Sequence, residues 1–472
     1  MGANDARQAR SGSHDSIYCL PVGSASLVYA PLHGVAALVS QDAAARLGLA
    51  LDGSIVDVVG GDLKSILTRL RGNPAPRPSL RTGGRANPLF LGIIPTRDCN
   101  MECGYCDFAS STSVRSRMSA DVAQAAVDAY LAVLEDAALQ VGQIHFFGGE
   151  PLIAPGEVEF VVEYASARAR DAGIRLHFEV TTNGLLSVAL AEWVADTFDT
   201  VVLSFDGPPG TQDRQRPARH NRPSFDVVRR TAGILSDGPV ELIVRSCVTS
   251  ATVDHLPGWV QWIVEELRPS TVCLESMTPS PRSAAANLFP PDPYRFAQAF
   301  ISAACILESR GITVGSSTTD LSACRVSACP VGQDALIVSP QGIVDGCYLL
   351  ENEWLDRGLD LRLGLVDVAA GRFEVGTEAL ERMRHLAARE KPQCVNCFCR
   401  DHCAGGCHVH HDTNRPPADY DDLCLATRLI SAGRLLGRLG LSEVATWLLD
   451  DADASSALAR HPDDHLLIGA AL

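Results

Sequence analysis

The chain has 472 residues, 46% of them hydrophobic and 20% charged, with a net charge of -16. That length exceeds one small core and implies two or three domains, and the composition excludes a disordered chain. The acidity argues against a polyphosphate partner, since the arginines between Arg214 and Arg230 are interleaved with Asp213 and Asp226 and read as a solvated face.

Sixteen cysteines in so long a chain do not fit a small secreted disulfide scaffold. Residues 1–13 read as a polar tail without the apolar core of a signal peptide. No apolar run is long enough to span a membrane. The expected setting is a reducing cytoplasm, with the thiols used for metal binding.

From Ile17 the chain gives three β-like pieces, IYCLPV, SLVYAPL and GVAALVS, separated by Gly23-Ser24 and His33-Gly34. A helical segment starts at Gln41. A second covers Gly61 to Leu70, where Leu63, Ile66, Leu67 and Leu70 share one face. This predicts a small winged-helix-like module over 14–80, with a plain structural cap as the alternative. Residues 71–85, with Pro and Gly, read as a linker.

Pro88 to Ile94 reads as one buried strand, and PTRDCNMECGYCDF comes directly after it. Cys99, Cys103 and Cys106 form a C-x3-C-x2-C array on one loop. Three such thiolates hold three irons of a [4Fe–4S] cube and leave the fourth iron open. Structural zinc would ask for two separated C-x2-C pairs.

Beyond the loop, helices starting at Ser119, Glu157, Ser187, Phe225 and about Trp259 alternate with strands. These are QIHFFGGEPLI, RLHFEVTTNG, TVVLSFDGP, VELIVRSCVTS and STVCLESM. The alternation predicts right-handed βαβ units, a parallel sheet and, with six units, a partial barrel with its chemistry at the C-terminal strand ends. Residues 279–293 read as a surface connection, 294–310 as a helix and 425–449 as one or two amphipathic helices. The last twenty residues show no chemistry.

The array and the strand–helix units beyond it resemble the radical S-adenosylmethionine (SAM) enzymes, in which SAM chelates the open iron. The resemblance implies that Gly148, Gly149, Glu150 and Pro151 form the turn that binds the SAM α-amino group. Tyr105 would lie beside the adenine and Met277 against it. Ser204 in SFDG would hold the ribose or carboxylate, with Arg216 forked onto the carboxylate. Asp206 and Asp213 would brace the turn, and Thr182 and Asn183 would border the pocket. Phe147 departs from the polar residue that some relatives place before the glycines.

The C-terminal cysteines resemble the SPASM module of radical SAM peptide maturases. Cys324, Cys329, Cys347 and Cys407 would hold a first auxiliary cluster, and Cys394, Cys397, Cys403 and Cys424 a second. Gly342 would make the hairpin turn of LIVSPQGIVDG. Cys399 and the histidines His402, His408, His410 and His411 have no ligand role in that pattern. Cys19, Cys247, Cys273 and Cys305 read as core thiols.

The implied fold is α/β, a partial (β/α)6 TIM-like barrel over 86–300. It is joined to a Cys-rich iron–sulfur domain over 301–430, and 431–472 forms C-terminal helices and a tail. The implied cofactors are three [4Fe–4S] clusters and SAM. The implied partners are a precursor peptide, gripped by the N-terminal module, and a reductant such as flavodoxin or ferredoxin, with no nucleic acid and no membrane. The expected function is oxidative cross-linking or cyclisation of a ribosomally made peptide. A sulfatase-type formylglycine maturase is the second reading, weakened by Tyr348 where those enzymes place an acidic base. A zinc-stabilised peptide-binding protein without turnover is the third.

Overall fold

Three antiparallel strands, β1 (Tyr18–Val22), β2 (Ala25–Ala30) and β3 (Val35–Ser40), open the N-terminal part, with β2 in the middle. The computed structural model describes residues 16–465, apart from 80–82, 85, 87, 89, 109–116, 330, 332–333, 390 and 412–414. One face of this small sheet, with Val28, Ala30 and Val35, packs on helices α1 (Gln41–Leu51) and α2 (Gly61–Arg71). The other face, with Tyr18, Leu20, Leu27 and Tyr29, belongs to the core of the rest of the chain. Tyr18 donates to Asp401 at 3.1 Å, and Tyr29 meets Phe398 edge-on. The module therefore has the expected elements, but it is fused into the main core.

Six parallel strands come next in chain order. They are β4 (Leu91–Ile93), β5 (Val141–Phe146), β6 (Arg175–Thr182), β7 (Thr200–Ser204), β8 (Glu241–Val248) and β9 (Thr271–Ser276). Between them run α3 (Ala120–Asp136), α4 (Pro155–Asp171), α5 (Val188–Thr197), α6 (Pro209–Gln215), α7 (Phe225–Asp237) and α8 (Leu256–Glu266). Ser119 and Ser187 cap α3 and α5 by accepting the N–H groups of Val122 and Leu190. Along β5 and β6, Ile144, Phe146, Phe178 and Val180 enter the core, while Gln143, His145, Glu179 and Thr181 line the opposite face. That second face is the lumen of the half-barrel.

The sheet continues past six strands. β10 (Thr313–Gly315) extends it beyond β9. At the other edge β11 (Leu336–Val338) pairs parallel to β4, and β12 (Ile343–Asp345), β13 (Arg362–Asp367) and β14 (Arg372–Val375) add antiparallel strands. The Cys-rich part thus shares one eleven-stranded sheet with the barrel. Gly342, at φ 78°, makes the β11–β12 turn as its sequence predicts.

Three expectations are corrected here. Boundaries at 300/301 and 430/431 fall inside helices α9 (Pro293–Glu308) and α11 (Asp422–Arg438), which are single packed units; α10 (Thr377–Ala388) lies between these two. Residues 279–293 are not merely a surface connection, because Leu288 is buried and faces Gly104 of the cysteine loop. The C-terminal stretch, after α12 (Ser442–Asp450) and α13 (Ala452–Ala459), delivers the fully buried Asp464.

Candidate functional site

The cysteine loop leaves the C-terminal end of β4, where parallel strands leave backbone groups free for a ligand. Its neighbours hold it at many points. Glu102 N–H donates to the Pro217 carbonyl at 2.8 Å, and Arg219 Nε donates to the Cys99 carbonyl at 2.8 Å. Asn183 Nδ2 donates to Asn100 Oδ1 at 2.8 Å and lies 3.5 Å from Cys99 Sγ. Arg282 reaches the Cys106 carbonyl at 3.3 Å. Burial pushes the Cys99 thiol up to about 12 and Cys103 higher still, so their thiolates need a neighbouring positive charge such as iron.

The Gly148-Gly149-Glu150-Pro151 turn lies against this loop. The Gly149 and Glu150 N–H groups donate to the Thr96 and Asp98 carbonyls at 3.2 and 2.8 Å. A Cβ on Gly149 would stand 2.1 Å from the Asp98 carbonyl oxygen, and Gly148 sits at φ 140°. The glycines are therefore required by close approach to the cysteine loop itself. Glu150 is buried and accepts from Leu152 N–H, the Thr182 hydroxyl and Asn183 N–H at 3.1, 2.9 and 2.7 Å. Burial still pushes its carboxyl up to about 7.

Asp206 organises the opposite side. It accepts from the Tyr105 hydroxyl at 2.5 Å, Gln215 Nε2 at 2.8 Å and Cys247 N–H at 2.9 Å. Arg216 Nε lies 2.9 Å from Oδ1, the oxygen that Cys247 N–H also meets, and the guanidinium sits 5.3 Å from the Tyr105 ring centroid. Tyr105 and Arg216 are thus brought together on one buried carboxylate. Asp213 caps α7 by accepting from Ser224 and Phe225 N–H. Ser204 ends β7, and Met277 is buried just beyond β9. Phe147 packs on Tyr348 and Phe108, at centroid distances of 4.7 and 5.0 Å.

Of the C-terminal cysteines, Cys394, Cys397, Cys403 and Cys424 line one cavity, together with Cys399 and Arg428. Cys329, Cys347 and Cys407 lie close enough to bear on one another's charge. The charges that bear on Cys324 are others. It sits beside Asp401 and Arg77, because Arg325 pins its loop to the Asp401 and His402 carbonyls at 2.7 and 2.9 Å. Cys399 is buried, with its thiol donating to the Thr427 carbonyl at 4.0 Å. His402 bonds Ser431, His410 faces Asp107, and His411 lies between Asp421 and Cys424 Sγ at 3.0 and 3.4 Å. His408 is buried. Of the four thiols read as core, Cys305 is exposed, because its side of α9 faces solvent.

These donor sets fit iron–sulfur clusters better than zinc. Tetrahedral zinc draws its sulfurs to about 3.8 Å from one another. Among the described residues, the ligand triplets within 4.8 Å are His411–Asp421–Cys424 and Asp107–Glu353–His410, and no three cysteine sulfurs come that close.

The lumen holds a group that the motifs missed. Tyr348 hydroxyl lies 3.1 Å from His145 Nδ1, and His145 Nε2 lies 3.0 Å from Glu179 Oε1. Gln143 Nε2 donates to the second Glu179 oxygen at 3.1 Å. Gly92 of β4 admits the tyrosine, since a Cβ there would stand 2.6 Å from its hydroxyl. Burial pushes Glu179 up to about 7 and His145 down to about 4. The available signal was a histidine and a glutamate at alternate, lumen-facing positions of β5 and β6.

Residues 93–249 match the family model of the Radical SAM superfamily. This segment is a radical SAM domain. Among curated proteins, it is similar to an uncharacterized protein of Methanocaldococcus jannaschii, 27% identical over 36% of this chain and 56% of that protein. It is also similar to a probable GTP 3′,8-cyclase of Methanothermobacter thermautotrophicus, 38% identical over 25% of this chain and 35% of that protein. The chain thus spans about half or less of the curated relatives it matches. Among solved structures, anSMEcpe with bound AdoMet shares the fold, with a TM-score of 0.57, 21% identity and coverage of 75% of this chain and 99% of that one. The same holds for anSMEcpe with bound AdoMet and Kp18Cys peptide, with a TM-score of 0.57, 19% identity and coverage of 74% and 99%. The GGEP turn and the cysteine loop both lie inside the radical SAM domain. The C-terminal cysteines lie beyond it. Among the described residues, no helix is long and apolar enough to cross a membrane.

Proposed function

We propose that this chain is a radical SAM enzyme of the SPASM type that oxidatively cross-links or cyclises a ribosomally made peptide. The observation that carries the reading is that the fold gathers the cysteines into groups. Cys99, Cys103 and Cys106 share one loop at the end of β4. Cys394, Cys397, Cys403 and Cys424 line one cavity, and Cys329, Cys347 and Cys407 bear on one another's charge. When bound, SAM and three [4Fe–4S] clusters would supply a hydrogen-abstracting radical and an electron sink.

The chain's own residues have separate tasks. Tyr105 and Arg216, set by Asp206, would hold the adenine and carboxylate ends of SAM, with Ser204 and Met277 beside them. The backbone carbonyls of the 148–151 turn would take its ammonium. An oxidative bond also releases a proton, and Glu179, bonded to His145 in the lumen, is the carboxylate that would accept it. The outer edge of β3 pairs with no strand among the described residues, so it would take a peptide as an added strand. A flavodoxin or ferredoxin would supply the electron.

That a solved structure of anSMEcpe holds a peptide along with AdoMet supports a peptide as the substrate class. A formylglycine maturase is the second reading, and Tyr348 after Cys347 weighs against it.

The test is anaerobic reconstitution, iron counting and reaction with dithionite, AdoMet and the short peptides encoded beside the gene. About twelve irons per chain, 5′-deoxyadenosine and a peptide lighter by two hydrogens are expected. Colourless, zinc-loaded protein without 5′-deoxyadenosine would sink the reading and favour the zinc-stabilised binder.

A further inference from the structure

Lys64 and Lys391 are the only lysines among 40 lysine and arginine residues. Lys64 is a surface residue paired with Asp57. Lys391 is 8% exposed, and among the described residues no carboxylate stands within ion-pair distance of it. Its ammonium donates to the Ala404 carbonyl at 2.6 Å. An isolated buried ammonium is costly, so this position asks for negative charge from elsewhere.

That charge is at hand on two sides. The Lys391 carbonyl accepts the Cys394 N–H at 2.8 Å, and Ala404 directly follows Cys403, so both neighbours belong to the second cysteine set. On the other side the lysine's side chain lies against Gly405, two residues before Cys407 of the other set, and Cys407 and Cys329 both bear on its charge. The side chain reaches this place by passing over Gly405, which sits at φ 79° and where a Cβ would stand 2.1 Å from Lys391 Cδ. Any side chain at 405 would block that passage. Arg428 is the other buried cation of the region, but Asp464 already balances it.

We propose that Lys391 is an electrostatic link between the two auxiliary iron–sulfur sites, its ammonium raising the reduction potential of both. The proposal rests on the reading of the two cysteine sets as cluster sites. Thiolate-bound clusters are net negative, and more so when reduced. A fixed cation shared by both therefore favours the reduced state of each. It also offsets the repulsion between them, which lets an electron arriving at one remain exchangeable with the other.

The test uses the fully reconstituted chain and its Lys391→Met, Lys391→Gln and Lys391→Arg variants. Potentials would be read by redox titration followed by electron paramagnetic resonance, alongside iron content. In the neutral variants both auxiliary clusters should become at least tenfold harder to reduce, about 59 mV for a one-electron couple. The SAM-site cluster should be unmoved, and Lys391→Arg should recover part of the loss. Unchanged potentials at full iron, or a shift confined to one cluster, would overturn the proposal. If both neutral variants lose auxiliary iron, retention in Lys391→Arg supports a charge role, and loss there too overturns it. About four irons in the unmodified chain would instead refute the cluster reading itself, and this proposal with it.

Discussion

The Glu150 carboxylate crosses from the turn after β5 to the end of β6 and accepts the Asn183 backbone N–H at 2.7 Å. Asn183 in turn hands its side-chain amide to Asn100 and faces Cys99 Sγ. One buried carboxylate therefore ties the glycine turn to the cysteine loop. Glu150→Gln keeps the shape but turns an amide donor toward one of the three donors it now accepts. Leaving a buried donor unmatched costs about 1–3 kcal/mol. AdoMet affinity, measured by calorimetry on the reconstituted protein, should fall about tenfold to a hundredfold. Unchanged affinity would remove Glu150 from the site.

Replacing Cys99, Cys103 and Cys106 together by Ala should abolish 5′-deoxyadenosine formation and leave the auxiliary iron in place, because the C-terminal sets share no residue with the loop. Iron counting and product chromatography check this. Residual cleavage of AdoMet would refute the assignment.

Arg428 and Asp464 are both fully buried and bonded to each other, and Arg428 also donates to Cys397 Sγ at 3.3 Å. Asp464→Asn leaves the guanidinium uncompensated and should cost about 3–5 kcal/mol of stability. The double variant Arg428→Met with Asp464→Leu should cost less than the sum of the singles. Denaturant unfolding gives both values, and strict additivity would contradict the pairing.

Glu179 titrates near 7 in the fold against an ordinary 4.5, chiefly through burial. Its contribution to stability is fully present below about pH 4.5 and is lost as the pH rises through about 7. The largest loss is about 3 kcal/mol. Glu179→Gln cannot ionise, so its stability should fall less than that of the unmodified chain between about pH 5.5 and 8.5. Parallel melting curves at the two pH values would show that the carboxyl is not held in this state.

Deleting residues 1–80, which the sequence marks as a separable module, should lower the melting temperature of the remainder. The reason is that Tyr18, Leu20, Leu27 and Tyr29 leave the main core with it. An unchanged melting temperature would restore the picture of an independent module.

The linear order of residues was enough for the features that are local. The C-x3-C-x2-C spacing, the paired glycines before Glu150 and the strand–helix alternation each announce themselves within a few positions. They fixed the six parallel strands and the cysteine loop. Domain limits were less legible, since α9 and α11 run through them and the β4–β11 pairing joins distant segments. Partnership at long range emerged only with the folded chain. Tyr348 meets His145 across 203 residues, and Tyr105 meets Asp206 across 101. Asp464, in a tail that looked inert, meets Arg428. Strand order and sheet register set such contacts, and neither leaves a trace in the neighbouring letters. The same holds for Lys391, whose meaning depends on which thiols the fold gathers around an ammonium that water no longer reaches.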